Sequence, residues 1–210
     1  MKIGIITGLL YPCTKSGPAI VTYNLANYLA KKNIEVTIFG AIKQKQSTEI
    51  EEYYPKVDLR THVEKSTFSV LSYQFKYIKQ INSKDFDILH LENLPGARGF
   101  IIVPLLHALN NNVKIIQKIH GWPPTELNFR FDSVFKRIMY RLHWSVAKEI
   151  IHNYSDKIIV NSNFMKETVS KDFHKHIDVI PNGIDLNVWK PAKKINIKGR
   201  KNVVFGGDSL

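Results

Sequence analysis

Short, almost continuously apolar runs recur along this chain, each separated from the next by a loop or a stretch with helical spacing. "KIGIITG", "EVTIFG", "KVDLRTHV", "FDILHLE", "VKIIQKIHG", "SDKIIVNS" and "HIDVIPNG" read as strands. A strand that is apolar at successive positions is buried on both faces, and that condition belongs to parallel sheets covered by helices. The intervening segments supply the helices. Pro18 stands where a first helical residue often stands, with Ser16 or Gly17 as the cap, and Val21, Leu25, Tyr28 and Leu29 follow at helical spacing. Phe68, Leu71, Phe75 and Ile78 form another stripe, a helix opens at Pro95–Gly96, and "NFMKETVSKDF" is a short one. "KQKQSTEIEEYYP" is polar and reads as a loop or exposed helix. This alternation predicts an α/β fold with a Rossmann-like, doubly wound parallel sheet.

Near Gly183 the pattern stops. Residues 185–201 are polar and lysine-rich, contain Pro191, and read as an inter-domain linker, after which "NVVFGG" reads as a strand running into a glycine turn. The expected organisation is a domain over 1–184, then a linker and the first strand of a truncated second domain over 185–210.

Thirty Lys and Arg against eighteen Asp and Glu give a net charge of +12, which draws anionic partners: phosphorylated small molecules, acidic lipid or nucleic acid. Nucleic acid is not expected, because the aromatics sit mainly at core spacing and no stacking array or recognition motif is present. The helix over 132–153 carries Phe135, Ile138, Leu142 and Val146 on one stripe, with Lys136, Arg137, Arg141 and Lys148 largely off it. That arrangement fits a core helix with a solvated basic face, or a helix lying on an acidic membrane surface. No apolar run has transmembrane length and the N-terminus lacks a signal-peptide pattern. The single cysteine, Cys13, reads as a small buried or loop thiol and fits a reducing compartment. These features place the chain in the cytoplasm, at the membrane's inner face if the basic helix meets lipid.

Ligands of an open parallel sheet bind beyond the carboxyl ends of its strands. Those ends are Thr7–Gly8, Glu92–Asn93, His120–Gly121, Asn161–Ser162 and Asn182–Gly183. The first loop leads to a helix N-terminus at Ser16–Gly17, where free N–H groups favour an anion, or where Gly17 simply caps the helix. The spacing there matches neither the dinucleotide nor the P-loop pattern. His120 ends a buried strand before "GWPP" and is placed for hydrogen bonding or proton transfer, whereas His90, deeper in its strand, reads as packing. Glu92 and Glu126 lie near the same rim. Without an H-x-x-x-H or a cysteine pair, no metal site is expected, although "HKH" at 174–176 could bind one adventitiously.

"SGPAIVTYNLANYLAKKNIEVTIF", "KIHGWPP", "YSDKIIVNSNFMKETV" and above all "VIPNGIDLNVWKP" resemble the N-terminal half of retaining glycosyltransferases of family 4, with the GT-B fold. The resemblance runs in order from Met1 to about Pro191. It implies two Rossmann-like domains facing across a cleft, the N-terminal one holding the acceptor and the C-terminal one a nucleotide-sugar donor. Transfer retains the anomeric configuration, without an essential metal or other cofactor, to a glycan or lipid-linked acceptor. By resemblance, Ser16 and Gly17 approach the donor phosphates and His120 is the catalytic histidine beside the transferred sugar. Ser162 matches a family serine on the cleft and Asn182–Gly183 is the hinge; Glu92 and Asn93, read from the strand ends, line the same cleft. "SGP" has fewer glycines than the family's loop, and Asp208 stands where the family carries a cation. The chain so read is an acceptor half, inactive alone. The alternatives are a nucleotide-sugar epimerase of the same architecture and a non-catalytic basic membrane-binding module.

Overall fold

A computed structural model describes residues 1–42, 49–63, 76–81, 85–92, 102–109, 112–122, 133–184 and 186. Seven strands form one parallel sheet: β1 (Lys2–Leu9), β2 (Glu35–Ile42), β3 (Asp58–Val63), β4 (Ile88–Glu92), β5 (Lys114–Ile119), β6 (Lys157–Val160) and β7 (Ile177–Val179). Their order is β3-β2-β1-β4-β5-β6-β7, so the chain winds outward from β1, crosses back to β4 and winds outward the other way. Between β1 and β4 the winding reverses, and right-handed crossovers put the helices of the two halves on opposite faces. The predicted Rossmann-like sheet is therefore present, with all seven predicted strands in it.

Five helices are named: α1 (Gly17–Lys31), α2 (Ile50–Tyr53), α3 (Ile102–Leu109), α4 (Val134–Tyr154) and α5 (Asn163–Val169); residues 76–81 are also helical. On one face Ile3, Ile5, Val36 and Ile38 pack with Ala26 of α1, and with Ile50 and Tyr54 at and after α2. On the other, Ile6, Phe39, Leu89, Leu91 and Ile115 pack with Tyr77, Ile78, Ile81 and Val103. Each such fully buried side chain is worth about 1.5–3 kcal/mol over exposure, which makes the near-continuous apolar strands the main source of the fold. Gly4 is small of necessity, since a Cβ there would come within 2.7 Å of the Leu89 Cδ2. The helical segment 76–81 is also pinned by polar contacts: the Tyr77 hydroxyl donates to the Gly40 carbonyl at 2.9 Å and meets the His62 ring.

α1 begins as predicted, with Ser16 extended at φ −63° and ψ 150°, but the Ser16 side chain makes no capping bond. It ends in a Schellman motif, with Asn33 at φ 61° and Ile34 N–H donating to the Leu29 carbonyl at 3.2 Å.

α4 packs on the core as a core helix would, but through a different stripe from the one read in the sequence. Its stripe of Phe135 (71% exposed), Ile138, Leu142 and Val146 faces solvent, whereas Trp144, Ala147 and Ile151 are buried. Trp144 meets the Trp122 ring edge-on at 4.7 Å, and Phe173, Val160 and Ile177 complete that cluster. Both stripes are apolar, and the one with Trp144 takes the core side because Trp122, Phe173 and the sheet residues Val160 and Ile177 receive it. Cys13 is buried, as read from the sequence. Phe68, Leu71, Phe75, Pro95–Gly96, Glu126, Asp132 and the segments 187–210 assigned to linker and second domain lie outside the described residues.

A candidate active site at the carboxyl end of the sheet

Strand periodicity and register build this site. Side chains alternate across a strand, so His90 and Glu92 of β4 share a face, as do Lys118 and His120 of and after β5. The β4–β5 ladder pairs Glu92 with Lys118, which places all four on one face at the rim beside the switch point. The Glu92 carboxylate is fully buried, and its side chain is 0% exposed. Its Oε1 accepts from the His90 Nε2 at 2.9 Å, and its Oε2 accepts from the His120 Nε2. Both imidazoles are themselves almost enclosed.

Burial alone pushes the Glu92 carboxyl up, but the hydrogen bonds from His120 and His90, with their charge, outweigh it and hold the group at about 2. Glu92 is then ionised at neutral pH. An ionised carboxylate only accepts, so both Nε2 atoms carry their protons and each Nδ1 is left to accept. The carboxylate thus fixes the tautomer and orientation of His120. Such bonds to a charged group are each worth about 1.5–3 kcal/mol.

The other predicted residues fall around this centre in different ways. Ser16 and Gly17 follow β1 at the same end of the sheet, and a Cβ on Gly17 would meet nothing within 4 Å, so the main chain there is open to approach. Ser162 caps α5: its hydroxyl oxygen accepts from the Met165 N–H at 3.2 Å, which still leaves its proton to donate. Asn182 and Gly183 are exposed beyond β7. Asn93 lies outside the described residues. Among the described residues no group of three His, Cys, Asp or Glu side chains is arranged to hold a metal ion. His176, from the "HKH" run, instead meets Asp178 at 2.8 Å.

His90 is a correction to the sequence reading. It does not merely pack but holds the second oxygen of Glu92. Its signal was the pair of polar residues at i and i+2 in "HLE", an interruption on one face of an otherwise apolar strand. Lys118 carried no motif and becomes visible only through the strand register.

Comparison with known proteins bears on the family and the fold. A model of Glycosyltransferase Family 4 matches residues 15–188. Alpha-1,3/1,6-mannosyltransferase ALG2 of Kluyveromyces lactis is 29% identical over 90 residues, 43% of this chain and 16% of that protein. In three dimensions the chain resembles Anabaena Alr3699/HepE, solved with UDP and glucose, at a TM-score of 0.61 and 14% identity, covering 91% of this chain and 47% of that one. The lipopolysaccharide outer core galactosyltransferase WaaB gives 0.55 and 14%, covering 90% and 47%. The chain therefore spans about half the length of these solved structures and a smaller share of the curated relative. These neighbours have the GT-B fold, whose N-terminal half this chain fits. With the family model covering most of its length, the chain belongs to Glycosyltransferase Family 4.

Proposed function

We propose that these residues form the acceptor side of a retaining glycosyltransferase that moves a sugar from a nucleotide-sugar donor to a glycan or lipid-linked acceptor. The observation that carries this reading is the buried Glu92–His120 couple at the carboxyl end of the sheet. When the leaving group departs, negative charge grows on the diphosphate and positive character grows on the sugar ring. Glu92 fixes the His120 ring, whose Nδ1 accepts a hydrogen bond from a sugar hydroxyl and orients the ring for transfer. The Ser16–Gly17 main chain meets the donor phosphates, supported by its open approach and by the helix N-terminus, which favours an anion by about 0.3–1 kcal/mol. Ser162 and Asn93 line the acceptor side, and Asn182–Gly183 flex as the cleft closes.

On this reading the 210 residues need a donor-binding half to turn over, consistent with their spanning about half of the solved neighbours. No metal or other cofactor takes part, so transfer persists in excess EDTA. In the active enzyme containing these residues, His120→Ala lowers turnover by at least about 100-fold, the lower bound for a positioned acid–base or orienting group. Near-normal turnover would demote His120 to a structural residue.

The solvent-facing stripe of α4 supports a second element. Phe135, Ile138, Leu142 and Val146 lie exposed on one face of α4, in a chain of net charge +12. Among the described residues no helix is long and apolar enough to cross a membrane. We infer that α4 lies along an acidic membrane surface, on the cytoplasmic side, and brings the site to a lipid-linked acceptor. Flotation with vesicles containing anionic lipid tests this: recovery in the lipid fraction that falls as salt rises is expected, and absence at every salt concentration removes the idea.

A further inference from the structure

Directly across from Glu92 in the β4–β5 ladder stands Lys118, a residue only 7% exposed. Parallel partners share a face, so its side chain leaves the sheet beside Glu92 and two residues from His120. A lysine opposite a glutamate on the next strand ordinarily pairs with it. Here His90 and His120 already engage both carboxylate oxygens. Among the described residues the Lys118 ammonium makes no hydrogen bond or ion pair; the contact from Gln117 goes to its main-chain carbonyl. Its stem is enclosed, but its Nζ is not among the buried atoms left without a partner, so the ammonium reaches solvent and lies open to an incoming anion.

We propose that Lys118 is an anion-binding residue of this site, taking a phosphate oxygen of a substrate seated beside His120. A lysine meets phosphate as a point charge with rotatable donors, and needs no matching fork. The charge across the ladder is compatible: the carboxylate of Glu92 is held by N–H donors from His90 and His120. The identity of the phosphate rests on the glycosyltransferase reading. It belongs either to a phosphorylated acceptor or to the diphosphate of the donor.

Thermal unfolding with and without inorganic phosphate, on wild type, Lys118→Met and Lys118→Arg, tests the binding. Without phosphate, Lys118→Met melts at or above wild type, because a flexible apolar chain replaces an unpaired charge. A lower melting point would instead make Lys118 the counter-ion of Glu92 and overturn the proposal. Added phosphate raises the wild-type melting point, acetate does so less, and Lys118→Met binds phosphate roughly 10-fold more weakly, with partial recovery in Lys118→Arg. An equal response in Lys118→Met would place the phosphate elsewhere on the basic surface and reject the site.

Transfer assays then separate the sources. A raised KM for a phosphorylated acceptor, with the donor KM unchanged, assigns the acceptor phosphate; the reverse assigns the donor diphosphate. Unchanged values for both overturn the proposal. If no sugar transfer is found while phosphate binding and its loss in Lys118→Met persist, the transferase reading fails and the anion site stands.

Discussion

The two ends of the sheet use their acids in opposite ways. At the amino ends of the strands the acids are exposed and hold main chain: Asp87 accepts the Lys2 N–H at 2.7 Å, and Asp156 accepts the Ile115 N–H at 2.8 Å and the Lys114 ammonium at 3.1 Å. At the carboxyl ends one acid, Glu92, is enclosed and meets two imidazoles beside an unpaired lysine. The first arrangement fastens the starts of strands and costs little, because water shares the charge. The second concentrates ionisable groups where an isosteric apolar cluster would have served stability as well or better. Groups kept at that cost are the reason we propose this end of the sheet as the working one.

The comparison predicts unequal consequences for similar substitutions. Glu92→Gln should have the largest effect on both activity and stability. An amide oxygen can serve one imidazole while its NH₂ faces the other, so we expect a loss on the order of 2–4 kcal/mol by urea denaturation and a fall in transfer of about 100-fold.

Acid should reveal the same asymmetry. The Glu92 carboxyl is depressed in the folded state from 4.5 to about 2. Its contribution is therefore complete above the unfolded value and is lost as pH falls through the folded one. By linkage it is on the order of 3 kcal/mol, and the urea midpoint of wild type should drop more steeply than that of Glu92→Gln from pH 4.5 to 2. Equal slopes would mean that Glu92 is not the buried ionised group described above.

At the opposite end, Asp156→Asn removes an acid whose carboxyl is also lowered. Burial raises that carboxyl, but the Ile115 N–H and Lys114 bring it down. Because its side chain is 40% exposed, we expect only about 0.5–1 kcal/mol in stability and unchanged turnover. A large loss of turnover would erase the distinction between the two ends. Smaller still is the stability effect of Ile138→Gln with Leu142→Gln on the exposed stripe of α4, within about 0.5 kcal/mol, while vesicle recovery falls.

The architecture was legible because its strands are apolar on both faces, a pattern with few other uses. The rim was legible for the same reason: a strand that ends at "IHG" must present His120 at the edge. His90 was not, since a histidine inside a strand usually packs, and only the register shows it sharing a carboxylate with His120. Periodicity also finds an amphipathic helix without saying which of two apolar stripes is buried, and in α4 the stripe with Trp144 won because Trp122 and Phe173 receive it. Lys118 belongs to a pairing between strands that are far apart in sequence, which no local pattern encodes.

His120→Gln addresses the central claim most directly. The glutamine amide can still donate to the Glu92 carboxylate but offers no ring nitrogen to a sugar hydroxyl. In the active enzyme we predict an unfolding midpoint close to wild type with turnover lowered at least about 100-fold. Wild-type turnover in that variant, or a loss no larger than the unfolded fraction explains, would contradict the assignment of His120 and Glu92 as the catalytic centre.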